Sequence, residues 1–262
     1  MTETHLQPLI RKLETIVDLS DTERVSIGAL PHYVRNLKAG QDIVREFDRP
    51  SHCCVILDGF AVRYKSVDGG KRQILSFHIS GDMPDLHSLQ LDVMDHSLAT
   101  IVASRVAFIP HQAARNLMHT NPRIADAFWR EALIDSSIFR EWMLNIGQRP
   151  ALARLAHVLC ELYTRMDVLG LVFGKAFALP VTQQDLGDAM GISTVHVNRM
   201  MMELRDAGLV RTPRGAVVIE NWDGLKKAGQ FDPTYLHIRQ LLSRAEPKAE
   251  ARAPVSGADQ AV

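Results

Sequence analysis

The stretch TQQDLGDAMGISTVHVNRMMMELRDAGLV, residues 182 to 210, decides the reading of this chain. Thr182 stands where a helix N-cap would, and Asp185 three residues on supports that start by charge and hydrogen bonding. Leu186, Ala189 and Met190 supply the inner face of a first helix. Gly191 can take the backbone angles of a tight turn, Ile192 can plug the angle between helices, and Ser193 can cap a second helix from about 194 to 207. On that second helix Val197, Met200, Met201 and Leu204 form one face. Thr194, Val195, Asn198 and Arg199, paired at i and i+4, form the other.

Beyond 208, GLVRTPRGAVVIE alternates around Pro213-Arg214-Gly215 as a two-strand hairpin does. Two helices with a glycine turn and a following hairpin make a winged helix-turn-helix, whose second helix enters the DNA major groove N-terminal end first. Arg199 can then donate two bonds to guanine O6 and N7, Asn198 can read adenine, and the methyls of Thr194 and Val195 can touch thymine. Thr182, Gln183, Ser193 and His196 lie near helix N-termini that attract phosphates, and Arg211 and Arg214 sit on the hairpin. A plain packing unit is the competing reading: residues 182 to 214 hold four arginines against four acids, which gives no strong basic footprint.

Working outward, Pro150 opens a helix, PALARLAHVLCELYTRM, and residues 167 to 181 read as an irregular connection. Before it, Asn121-Pro122 marks the start of a long helix running to Gly147. Its apolar residues include Phe128, Trp129, Leu133, Ile134, Ile138, Phe139, Trp142 and Met143, too many for one stripe, so two sides should be covered. From about 34 to 110, short apolar runs such as CCVILDGFAVRYKSV and RQILSFHI alternate with turns at Gly40, Gly59, Gly69 and Gly81, the pattern of a small antiparallel roll or barrel. Residues 6 to 18 have helical spacing. From about 244 the Ala, Pro, Glu and Lys-rich tail reads as disordered.

The totals agree with this division. At 262 residues and 46% hydrophobic composition there is material for two modest cores, and 30 basic residues balance 30 acidic ones, so any polyanion site must be local. Three cysteines, two of them adjacent, do not make a secreted disulfide framework. The N-terminus lacks a signal-type apolar core and no run approaches the roughly 20 apolar residues of a membrane span, so a soluble cytoplasmic protein without membrane contact is expected.

On these residues, the order of roll, long helix and winged motif over about 20 to 225 resembles the cyclic-AMP receptor protein and fumarate-nitrate regulator (CRP/FNR) family. The resemblance implies an α+β chain: an N-terminal antiparallel β-roll of the cyclic-nucleotide-binding type (1–120), a long dimerisation helix (121–148), a C-terminal winged helix-turn-helix (149–225) and an extension (226–262). It implies a homodimeric transcriptional regulator on palindromic double-stranded DNA, with RNA polymerase as partner if it activates. Ile134, Ile138 and Trp142 are the expected dimer contacts. Carried over by position, the family's reading arginine falls on Arg199 and its neighbours on Thr194, Val195 and Asn198. Members that read with glutamate have it where this chain has Val195, so the preferred half-site should differ there.

The roll departs further from the family. Relatives hold cyclic AMP with a Gly-Glu step and an Arg-Ser pair, whereas this chain has Pro84-Asp85-Leu86 and His96-Ser97. A neutral histidine is a poor substitute for a fixed cation against phosphate, which argues against cyclic AMP. Three cysteines fall short of the ligands of an iron-sulfur cluster. Haem stays open, because one histidine can ligate it and His52, His78, His87 and His96 all lie on the roll. The expectation is no cofactor, no metal and no catalytic residues. The alternatives are a cupin-like metal-dependent enzyme, whose His-x-His signature is missing, and a nucleotide- or haem-sensing regulatory protein that leaves Asn198 and Arg199 unexplained.

Overall fold

The structure is a computed structural model and describes residues 4–242. Helix α1 (Gln7–Glu14) buries Leu9, Ile10 and Leu13, and α2 (Asp21–Gly28) opens on a Ser20–Glu23 capping box. Seven strands follow: β1 (Tyr33–Leu37), β2 (Asp42–Val44), β3 (His52–Asp58), β4 (Ala61–Ser66), β5 (Arg72–His78), β6 (Ser97–Thr100) and β7 (Ser104–Pro110). They pair antiparallel in two sheets, β1-β7-β3 and β2-β6-β4-β5, which is the expected roll. The apolar run in β3 is explained by burial on both faces. Cys53, Val55 and Leu57 belong to the main core, beside which α1 packs, while Cys54 and Ile56 belong to a smaller cluster with Leu98 and Val106.

A 3₁₀ turn (Leu86–Leu89) interrupts the long β5–β6 connection. After the roll come α3 (His111–Thr120), α4 (Pro122–Gln148) and α5 (Ala151–Asp167). The connection read as irregular contributes a short strand, β8 (Ala176–Ala178). Helices α6 (Gln183–Met190) and α7 (Thr194–Asp206) lead into β9 (Val210–Arg211) and β10 (Ala216–Ile219). The wing is therefore a three-stranded sheet, β8-β10-β9, rather than a lone hairpin, because Val217 of β10 also pairs with Phe177.

Past residue 225 the chain does not leave the fold. Helix α8 (Trp222–Gly229) packs on α5 so closely that a Cβ at Gly229 would lie 2.7 Å from the His157 nitrogen. Tyr235 then donates its hydroxyl to Glu161 Oε2 at 2.8 Å, and the Arg239 N–H bonds Thr15 O at 2.9 Å. The tail read as disordered lies outside the described residues. Among the described residues, no helix is long and apolar enough to cross a membrane.

Helix α4 requires a correction. Its Ile134, Ile138 and Trp142 are buried within the protomer, Trp142 against Phe77 of β5 and with its Nε1 donating to Glu161 Oε2 at 3.1 Å. These three face the roll and α5, not outward. The apolar residues left exposed are Trp129, Leu133, Phe139, Met143 and Leu144, on the opposite side of the helix.

Candidate nucleic-acid interface

The local chemistry of 182–210 builds a rigid helix pair. Thr182 Oγ1 accepts from the Asp185 N–H at 3.0 Å, and Asp185 Oδ2 accepts from the Thr182 N–H at 2.9 Å, which closes a capping box on α6. Gly191 ends that helix with φ +67°, the left-handed region natural to glycine. The turn is tight enough that a Cβ at Gly187 would come 2.7 Å from Ile192 O, so both glycines are needed. Ser193 accepts from the His196 N–H at 3.3 Å and starts α7. Val197, Met200, Met201 and Leu204 bury the inner face against Leu186, Ala189 and Met190.

The outer face is as the sequence placed it. Val195 is 78% exposed, Asn198 and Arg199 are exposed, and Thr194 and His196 are half-buried beside them. An isolated valine so exposed at the start of a helix gains nothing by packing in this chain. Arg199 lies 4.0 Å from Glu203, a loose pair that solvent screens. Of the expected backbone contacts, Thr182, Ser193 and Arg214 are exposed. Gln183 is half-buried with its Oε1 lacking a partner, and Arg211 donates from Nε to Glu220 at 2.8 Å, so phosphate would have to compete with that carboxylate.

Two features were missed in the sequence. Arg72 of β5 reaches α6, donating to Asp185 Oδ1 at 2.6 Å and Asp188 Oδ2 at 2.9 Å, while Gln73 Nε2 donates to Ala189 O at 3.2 Å. The roll thus grips the first helix of the pair from the same chain. Burial alone would raise the Asp185 carboxyl, but bonds from Thr182 and Arg72 outweigh it and hold the group below the usual range.

The second is a cavity of about 560 Å³ between the roll and α4. Arg63 of β4 is buried at its wall, donating to Asp135 at 2.8 Å and to Pro84 O, with Nε left unpartnered. Its signal was the period of the strand: it shares a face with buried Ala61. Deeper in, Asp82 accepts from Lys12 at 3.1 Å and Arg165 at 2.6 Å, and Lys12 lies 3.3 Å from Glu131. Burial would raise the Asp82 carboxyl, yet Lys12 and Arg165 hold it well below the usual range. His87 and His96 also line the cavity; burial, then Arg63, lowers both imidazoles, His96 to about 4. His78 lines the same cavity but is engaged, bonded to Ser76 and 3.7 Å from Asp82, and His52 is bonded to Ser51. All three cysteines are buried and their thiols pushed up by desolvation, Cys160 to about 12, far from the thiolate that redox chemistry requires.

Two family models match this chain: a cyclic nucleotide-binding domain over residues 34–121 and a Crp-like helix-turn-helix domain over 153–228. A probable transcriptional activator of Rhizobium leguminosarum bv. viciae is 23% identical over 194 residues, covering 74% of this chain and 80% of that protein. The nitrogen fixation regulation protein FixK of Rhizobium meliloti is 24% identical over 185 residues, covering 69% and 79%. Among solved structures, FixK2 from Bradyrhizobium japonicum superposes with a TM-score of 0.70 at 22% identity, over 76% of this chain and 98% of that one. The expectation of no cofactor loses its support here, since the roll matches a cyclic nucleotide-binding domain and forms one wall of the cavity against α4.

Proposed function

This chain belongs to the CRP/FNR family of DNA-binding transcriptional regulators, and we propose that it reads a two-fold symmetric operator as a homodimer. The observation that carries the proposal is the outward face of α7, where Val195, Asn198 and Arg199 stand exposed behind two well-capped helix starts. Asn198 and Arg199 read bases, the Thr194 and Val195 methyls exclude water over thymine, and Thr182, Ser193, His196 and Arg214 meet phosphates. Arg211 joins them once released from Glu220, and Gln183 contributes less from its half-buried position.

The exposed stripe of α4 supports dimerisation. Trp129, Leu133, Met143 and the flanking Phe139 and Leu144 place apolar side chains along the outer side of a 27-residue helix, interrupted by Ser136 and Arg140, the side on which a second copy would lie. The contacts expected at Ile134, Ile138 and Trp142 serve the protomer instead. The protein works in the cytoplasm, contacts RNA polymerase where it activates, and performs no catalytic step. The roll cavity takes the signal.

Selection of DNA from a random pool by the purified full chain, at two salt concentrations, tests this reading. A palindrome with steep salt dependence is expected, because each neutralised phosphate releases counterions. A folded, dimeric protein that enriches no motif under any condition overturns it.

A further inference from the structure

Two histidines and an aspartate come together on the roll where the sequence offered no spacing to select them. His87 lies on the 3₁₀ turn, His96 and Asp95 just before β6, and one donor atom from each lies within 4.8 Å of the others. The two rings sit 5.0 Å apart between centroids. His96 Nδ1 is 2.6 Å from Asp95 Oδ1, which places the ring proton on Nδ1 and leaves Nε2 a bare lone pair. That Nε2, on a side chain only 8% exposed, is buried without a partner, and so is His87 Nε2. Both residues and Asp95 line the cavity of about 560 Å³.

Two unpartnered imidazole nitrogens beside a carboxylate are the donors of a first-row transition metal, and the carboxylate-to-histidine bond is the outer contact that orients such a ligand. Arg63 of the same cavity wall is paired with Asp135 at 2.8 Å, and Asp95 sets a negative charge beside His96. We propose that His87 and His96, with Asp95 as the group that orients His96, bind one divalent transition-metal ion of the Zn²⁺, Fe²⁺ or Co²⁺ class in the roll cavity. The ion's remaining positions open toward the cavity, where water or an oxygen-bearing ligand completes the shell. It pins the 86–96 segment, whose 3₁₀ turn packs against α4, so the ion bears on the element that carries the proposed dimer surface. This inference rests on reading the roll as the signal-receiving unit of a DNA-binding regulator.

The test is titration of the tag-free full chain with Co²⁺, followed by visible absorption, and with Zn²⁺ by calorimetry. One ion per protomer is expected, with ligand-field bands of nitrogen and oxygen ligation and no thiolate charge-transfer band. His87→Ala and His96→Ala should each remove the saturable binding, and Asp95→Ala should weaken it about 10–100-fold. His32→Ala, at the surface pair His5–His32, should leave it unchanged. Cu²⁺ paramagnetic resonance of the unaltered chain, showing two coupled imidazoles, keeps the test independent of whether the variants fold. No saturable uptake, or uptake that His96→Ala leaves intact, overturns the site. A palindrome selected by a chain that takes no metal ends this inference alone; metal binding with no motif in either form ends the DNA reading instead.

Discussion

At the scale of single residues, the molecule separates side chains that are held for the fold from those left free for recognition. Arg199 has only a loose, screened contact with Glu203, so its removal should cost the protein almost no stability. Arg199→Ala is expected to weaken operator binding by about 1–3 kcal/mol and to relax preference at one base pair per half-site. Binding measured on a panel of single-base operator variants checks both; an unchanged profile removes Arg199 from base reading. Asp82 is the opposite case, buried between Lys12 and Arg165 with its carboxyl held well below the usual range. A carboxyl depressed in the folded state stabilises above its unfolded pKa, near 3.8, and that contribution is lost as pH falls through the lower folded value. Asp82→Asn takes from two buried cations the counter-ion they share and leaves Lys12 with Glu131 and Arg165 with Glu161, so up to about 3–5 kcal/mol should be lost at neutral pH. Below pH 4 the difference from the unaltered chain should shrink. Thermal melts across pH give both; a constant gap down to pH 2 contradicts the assignment.

At the scale of elements, helix α4 shows what the sequence could and could not reveal. Its residues form two apolar sides, and the structure covers one of them: Ile134, Ile138 and Trp142 are buried in the protomer, while Trp129, Leu133 and Met143 stand exposed. Both sides carry large apolar residues at helical spacing, so periodicity alone does not say which one meets the roll. The consequence is a pair of contrasting substitutions. Leu133→Glu with Met143→Glu should leave the melting temperature nearly unchanged and dissociate the proposed dimer in sedimentation; Ile138→Ala should cost about 2–5 kcal/mol of stability with the proposed dimer surface intact. A dimer that survives the double glutamate variant places its interface elsewhere. Helices α6 and α7 were legible because each carries its own cap, turn glycine and inner face within thirty residues. The third wing strand was not, since β8 is three residues long and is defined by its partner β10. Arg63 and Arg72 escaped for a related reason. A strand arginine reads as solvated until the residues it meets are known, and Arg72 meets Asp188 across 116 positions of chain.

At the scale of the whole molecule, the question is how the roll bears on α7, the helix proposed to read DNA. Within one protomer the chain supplies two routes. The cavity wall passes through Asp135 and Glu131 of α4, and Arg165 of α5 ties that helix to Asp82 of the roll. The second route is direct: Arg72 and Gln73 of β5 hold α6 from Asp185 to Ala189, and Arg154 of α5 donates to Met190 O at its C-terminus at 2.9 Å. Held between the roll and α5, α6 and hence α7 keep one orientation to the roll before DNA arrives. A domain on a loose tether would have to be ordered during binding, and that ordering weakens association. Arg72→Ala should therefore lower operator affinity without altering which bases are preferred, and Asp188→Ala should do the same. Because the two groups share one bond, their effects should not add: the double variant should lose about 0.5–3 kcal/mol less than the sum of the singles. Asp185 makes its own capping box, so Asp188 is the cleaner partner for the cycle. Operator affinities of the four proteins, measured at one salt concentration, decide it. Strict additivity would mean that the roll's grip on α6 has no part in presenting the reading helix, and coupling would then have to travel through α4 and the second copy alone.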